Sequence, residues 1–281
     1  MKHLLKTAAL GVVAAFALAG CGTTQPTGSA PASDSGSGAA SAASSPAFTT
    51  IDAGKLTACA DVPYPPFEIE DTSAASGYSG FDIEIVGAIA EKLGLTLVVK
   101  DVDFDALQSG TVLAAGECDL GTSAITITEK RKKNIDFADP YYDSLQSLLV
   151  KKDSGIAKLA DLSGKVIGVQ QGTTGQTYAQ EHAPKDATIT QFPSDGELWP
   201  AMTSGQVDAI LQDQPVNHQH EIDDDSYAIV EEYDTDEQYG FAFAKDKNPE
   251  LLAAVNAALA DIRSDGTYDT IYEKYFGKKQ A

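Results

Sequence analysis

Arg131 lies in the stretch 122–142, TSAITITEKRKKNIDFADPYY, where a β-branched apolar run leads into a basic turn and then Asp139-Pro140-Tyr141-Tyr142. A planar guanidinium meets a carboxylate through two parallel hydrogen bonds, which a lysine cannot reproduce. The plainer reading is a solvated basic turn, because Lys130, Arg131, Lys132 and Lys133 run together. Gly172-Thr173-Thr174-Gly175 enters a predicted helix, where orphan N–H groups favour an anion. Alone it is also ordinary loop chemistry, and no Gly-Lys-Ser/Thr follows to make a P-loop. Asp213 ends the apolar run 207–212 and could meet an ammonium group, or merely cap a loop or helix before Pro215. His218 and His220 lie two apart in a polar stretch with no third histidine near, so a solvated helix or loop is expected there and no metal. No Ser/His/Asp set or cofactor fingerprint is evident, and no cofactor is expected.

Groups so far apart in sequence can meet only through a tertiary scaffold. Strands are predicted at 55–60, 95–100 and 119–125. Between them a helix opens at 79–82, with Asp82 as N-cap, and stops at Gly94; another spans 104–115, with Gly110 a weak point. Three prolines within 63–66 make the loop after the first strand extended and rigid. The same β-α-β-α-β order restarts with strands at 165–169, 187–191 and 207–212, a helix entered from the loop 171–175 and running to about 182, and a helix at 198–204. Helices 249–263 and 268–276 close the chain. Two α/β units of this kind commonly bind a ligand where strand ends and helix N-termini converge.

The first twenty residues have the three parts of a secretory signal: Lys2 and Lys6, an apolar core over 8–19, and a small-residue cleavage site. That core is short for a membrane span. Residues 22–50 are nearly all Gly, Ser, Ala, Thr and Pro, a composition that cannot fold. They read as a flexible tether with a reach of about 30 Å. The formal charge of −21 argues against nucleic acid and against a basic membrane-binding face. Cys59 and Cys118 fall at predicted strand edges. In an exported chain they suggest a disulfide if those strands are neighbours; otherwise they are two buried thiols.

Taken together, these stretches resemble the bacterial extracellular solute-binding proteins that deliver polar amino acids to ATP-binding-cassette importers, over essentially all of residues 51–277. Leu18-Ala19-Gly20-Cys21 resembles a lipobox, with Cys21 lipidated after removal of residues 1–20. The resemblance implies a periplasmic-binding-protein-like type II fold. Residues 51–145 and 240–281 would form lobe 1 and residues 146–239 lobe 2. The ligand cleft would lie between them, with crossings near 144–147 and 238–241 and Gly240 absorbing torsion change. The protein would be a monomer outside the membrane, held there through Cys21, presenting a free amino acid to permease subunits.

The resemblance also assigns the site. Arg131 would clamp the α-carboxylate with the backbone N–H groups of Thr126 and Thr174. Asp213 would take the ammonium, with the Ala124 carbonyl and the Thr126 hydroxyl. Tyr64 and Phe104 would place rings about the ligand side chain, and Asp61 would meet a donor at its end. Gln170 departs from relatives that carry a lysine or an aliphatic residue there. A cationic or amide ligand is expected, arginine first, then glutamine, lysine or histidine, with glutamate repelled by Asp61. A sensor domain for a signalling receptor, and a cyclohexadienyl-dehydratase-like enzyme, are the competing readings.

Overall fold

The computed structural model describes residues 48–278. Residues 1–20, expected as a leader, Cys21 and nearly all of the expected tether lie outside the described residues. Among the described residues no helix is long and apolar enough to cross a membrane.

The described chain begins with β1 (Lys55–Ala60), the small hairpin β2 (Ile69–Glu70) and β3 (Tyr78–Ser79), and α1 (Phe81–Lys92). Then come β4 (Thr96–Asp101), α2 (Phe104–Gln108), α3 (Thr111–Ala114), β5 (Leu120–Gly121) and β6 (Ile135–Phe137). A second run holds β7 (Tyr142–Lys151), β8 (Val166–Gln170), α4 (Thr174–His182), β9 (Thr188–Phe192) and α5 (Asp195–Thr203). It ends with β10 (Ala209–Asp213), α6 (Gln214–Asp223) and β11 (Tyr227–Tyr239). The chain then returns through β12 (Ala242–Ala244), α7 (Pro249–Ser264) and α8 (Thr267–Phe276).

These strands make two five-stranded sheets, ordered β4-β1-β5-β12-β6 and β11-β7-β10-β8-β9. Each has a parallel core: β4, β1 and β5 in one, β10, β8 and β9 in the other. The chain passes from the first sheet to the second between Phe137 and Tyr142, and returns between Tyr239 and Ala242. In β1 every residue after Lys55 is buried, as expected of a strand covered on both faces. Leu56, Ala58, Ile85, Ile89, Leu251 and Leu259 pack the first core, while Leu148, Val150, Ile167, Val169 and Leu211 pack one face of the second. Cys59 and Cys118 are joined in a disulfide, with Cα atoms 5.7 Å apart.

Several local expectations give way to tertiary structure. The helix expected over 104–115 breaks at Gly110, whose φ of 83° is left-handed; α3 restarts after it. Gly80, not Asp82, caps α1. Asp82 is fully buried instead, and its Oδ2 accepts from Thr122 Oγ1 (3.1 Å), the Ala124 N–H (2.9 Å) and the Tyr141 hydroxyl (2.5 Å). That capture turns Ala124 to a φ of 46° and ends β5 at Gly121, short of the strand expected over 119–125. Gly240 is not in the left-handed region; what excludes a larger residue is room, since a Cβ there would lie 2.9 Å from Ile127 Cδ1. His218 is exposed, but His220 is buried, 3.0 Å from Asp195 and stacked on Trp199, which corrects the solvated reading for that residue.

Candidate functional site

Each site residue stands at the end of an element or in the turn that follows one. Asp61 follows β1, Gln170 ends β8, Asp213 ends β10, Phe104 opens α2 and Thr174 opens α4. Arg131 opens a single 3-10 turn whose Thr128 hydroxyl accepts the Arg131 N–H at 3.1 Å. The structure brings Asp61, Tyr64, Phe104, Ala124, Thr126, Arg131, Gln170, Thr174 and Asp213 onto the wall of one cavity, with Ser123 and Thr173. They close around a small space between the sheets.

Arg131 is 4% exposed. Its Nη1 donates to the Thr126 carbonyl (2.8 Å), Nη2 to the Gly172 carbonyl (3.0 Å) and Nε to Gln108 Oε1 (3.4 Å). The guanidinium lies 5.3 Å from the Phe104 ring centroid. Among the described residues it makes no ion pair, so its close partners are neutral. Burial lowers its pKa to about 10, against the opposing pull of Asp213 and Glu237. A buried cation without a paired anion is poised to receive one.

Two backbone donors share that end. Ile127 and Gly240 carry the ladder bonds that flank the Thr126–Tyr239 bridge, so the Thr126 N–H and carbonyl share the other edge, toward Arg131. Thr173 caps α4, its hydroxyl accepting the Gln176 N–H at 3.0 Å. Thr174 is therefore the first helical residue, and its N–H has no partner inside the helix.

Asp213 stands at the N-cap position of α6 but makes no side-chain cap bond, so its carboxylate is held elsewhere. Its carboxylate accepts from Gln146 Nε2 (2.5 Å) and the Tyr239 hydroxyl (2.6 Å), and also bonds the Tyr64 hydroxyl. Burial and then the charge of Glu237 raise its pKa to about 6, although all three donors favour the ionised form. Asp61, 4% exposed, accepts from Gln170 Nε2 at 2.6 Å. Burial first, and then Asp101, Asp103 and Asp195, raise it to about 7, against the Gln170 hydrogen bond. Gln170 is held by a second bond to the Pro193 carbonyl at 3.1 Å.

Glu237 was not foreseen. Its Oε2 accepts from the Thr126 and Thr174 hydroxyls at 2.7 and 2.8 Å, and its Oε1 from Thr235 at 2.8 Å. Gln146 spans Glu237 and Asp213 with one amide. Nothing in DTDEQYGF marks Glu237 among its acidic neighbours. It reaches the site through a register shift between Tyr233 and Glu237, next to Asp236 at φ 55°. Among the described residues no group of His, Cys, Asp and Glu could hold a metal ion.

Two α/β sheets with a polar cavity between them, walled by one buried cation and two buried acids, define a two-lobed small-molecule-binding protein. The chain matches the model of the bacterial extracellular solute-binding proteins, family 3, over residues 56–278, and it belongs to that family. It is 36% identical over 208 residues to the ABC transporter glutamine-binding protein GlnH of Bacillus subtilis, covering 72% of this chain and 74% of that one. With the arginine-binding extracellular protein ArtP of the same species it shares 33% identity over 224 residues, 79% of this chain and 86% of the other. The structure of an ancestral arginine-binding protein bound to glutamine superposes with a TM-score of 0.74 at 37% identity, covering 80% of this chain and 99% of that one.

Proposed function

We propose that this protein binds a free basic or amide L-amino acid, arginine foremost, in the cavity between its sheets and presents it to the permease of an ABC importer. The observation that carries this reading is the pairing of Arg131 and Asp213 in one cavity: a buried guanidinium with only neutral close partners opposite a buried carboxylate. An α-amino acid is a zwitterion, and the two groups meet its two charged ends. The side-chain preference follows from charge. Asp61, Asp213 and Glu237 outnumber Arg131, so a ligand with net positive charge lowers the mismatch more than a neutral one, and an acidic ligand worsens it. Asp61 Oδ1 takes no hydrogen bond among the described residues, which leaves it for a donor at the end of the ligand. The glutamine- and arginine-binding relatives support the same range.

In this reading residues 51–145 with 240–281 form one lobe and residues 146–239 the other. The long β7–β11 ladder is the connection that flexes, ligand stabilises the closed state, and Cys21 anchors the tether outside the membrane. A dehydratase would need a general acid, and Asp61, with its pKa near 7, is the group able to serve. A thermal-shift screen of the full chain against the twenty amino acids and prephenate separates these. Stabilisation by arginine, lysine, histidine or glutamine and none by glutamate is expected. Prephenate turnover, or no response to any amino acid, would overturn the proposal.

A further inference from the structure

Behind the cavity, two carboxyl groups meet without an evident counter-charge. Glu68 is fully buried, and neither of its oxygens has a hydrogen-bond donor among the described residues. Asp82 is fully buried too; its Oδ2 takes three donors, but its Oδ1 takes none. Their backbones are adjacent, the Asp82 N–H donating to the Phe67 carbonyl at 3.2 Å, and the charge of Asp82 acts on Glu68 to disfavour its ionisation.

We propose that Glu68 and Asp82 share one proton, and that this acid–carboxylate pair positions two walls of the ligand cavity. Two anions this close in a buried setting do not both ionise. A proton on Glu68 turns two of these three orphan oxygens into a donor and its acceptor. Asp82 keeps the negative charge, because Thr122, Ala124 and Tyr141 all donate to it. The other ionisable groups acting on the pair agree. Asp61, at the end of β1, further disfavours charge on Glu68, and burial drives Glu68 well above the ordinary carboxylic range. Tyr141, ahead of β7, donates its proton to Asp82, and Tyr268 of α8 in turn donates to the Tyr141 carbonyl at 2.6 Å.

The pair reaches the cavity on two sides. Asp82 holds the N–H of Ala124 in its left-handed conformation, and Ala124 lines the cavity. Glu68 exchanges backbone bonds with Tyr64, N–H to carbonyl at 3.1 Å and carbonyl to N–H at 2.9 Å, and Tyr64 lines the cavity opposite Asp213. Both residues act through others and are positioning residues.

The test is urea unfolding of the full chain without ligand, wild type against Glu68→Gln, from pH 5 to 9. Above about pH 4.5 the unfolded chain releases the Glu68 proton and the native chain keeps it, so native stability falls as pH rises. The ratio of the wild-type unfolding constant to that of E68Q is expected to climb about tenfold per pH unit between pH 5 and 7. A flat ratio overturns the proton-sharing. If E68Q does not fold, infrared spectra of wild type carrying isotope-labelled glutamate decide the matter at pH 9. A neutral carboxylic carbonyl band upholds the pair, and its absence removes it. For the positioning role, E68Q should bind L-arginine within about threefold of wild type, because its amide donates to Asp82 as the acid does, and Glu68→Ala should lose at least tenfold. Equal binding by E68A and wild type would refute that role. This last arm rests on the amino-acid reading; the proton arm uses no ligand and stands or falls without it.

Discussion

Replacing Arg131 with alanine should separate binding from folding. The folded chain holds this guanidinium against carbonyls, one amide and one ring. Burial lowers its pKa from 12.5 to about 10, which corresponds to roughly 3 kcal/mol against the charged form. Below pH 10 the native and unfolded chains both keep the proton, so this penalty is constant across neutral pH. The hydrogen bonds lost on truncation are worth about 1 kcal/mol each, so the two effects nearly cancel. Unliganded R131A should therefore melt close to wild type. With ligand the balance changes, because truncation leaves the α-carboxylate buried and unpaired. Losses for such truncations run about 2–5 kcal/mol, or about 30- to 5000-fold in Kd. Isothermal titration of both proteins with L-arginine, beside their melting curves, measures the two quantities. Binding within about threefold of wild type would refute the clamp, and a melting temperature collapsed without ligand would show that Arg131 serves the fold instead.

Three further outcomes follow from the same geometry. Asp61→Asn should weaken a cationic ligand at least tenfold, about 1.4 kcal/mol, while changing glutamine binding much less; equal effects on both would remove Asp61 from selectivity. Asp61 and Asp213 have native pKa values raised to about 7 and about 6, so between about pH 4 and 7 the unfolded chain is ionised where the native chain holds protons. The Asp61 and Asp213 contributions to stability without ligand should therefore fall as pH rises through that window and level off above it, leaving only the Glu68 slope beyond pH 7, whereas arginine affinity should rise over the same range. Melting curves and titrations at pH 5, 6, 7 and 8 check both signs. Reduction of the Cys59–Cys118 bridge, which closes a span of 59 residues, should cost about 4 kcal/mol of stability by chain entropy, read from denaturant unfolding with and without a strong reductant.

How much of this was legible depended on whether local sequence or distant contacts decided each feature. β1, β4, β8 and β10 are largely apolar runs bounded by turns, and α7 announces itself through Asn248, whose side chain accepts the Leu251 N–H, with Pro249 following. Those elements set the two-sheet architecture. The β7–β11 ladder was harder to read, because β11 carries Glu231, Glu232, Asp234, Asp236 and Glu237 and has no continuous apolar face. Its pairing with β7 and its register shifts are tertiary facts, and Glu237 enters the site only through them. Asp82 looked like a helix cap because it opens α1, yet its partners Ala124 and Tyr141 are 42 and 59 residues away. Arg131 sat in a run of lysines, and only its burial distinguishes it from them. Its neighbours Lys130, Lys132 and Lys133 are exposed.

The central claim is that one cavity holds both charged ends of a free α-amino acid. Calorimetric titration of the full chain with L-arginine, and then with agmatine, which keeps the guanidinium and loses the α-carboxylate, tests it most directly. The account predicts saturable binding of arginine and a loss of about 30-fold or more with agmatine, matching the cost of an unpaired Arg131. Agmatine binding as tight as arginine would contradict it, because the buried guanidinium would then have no carboxylate to meet.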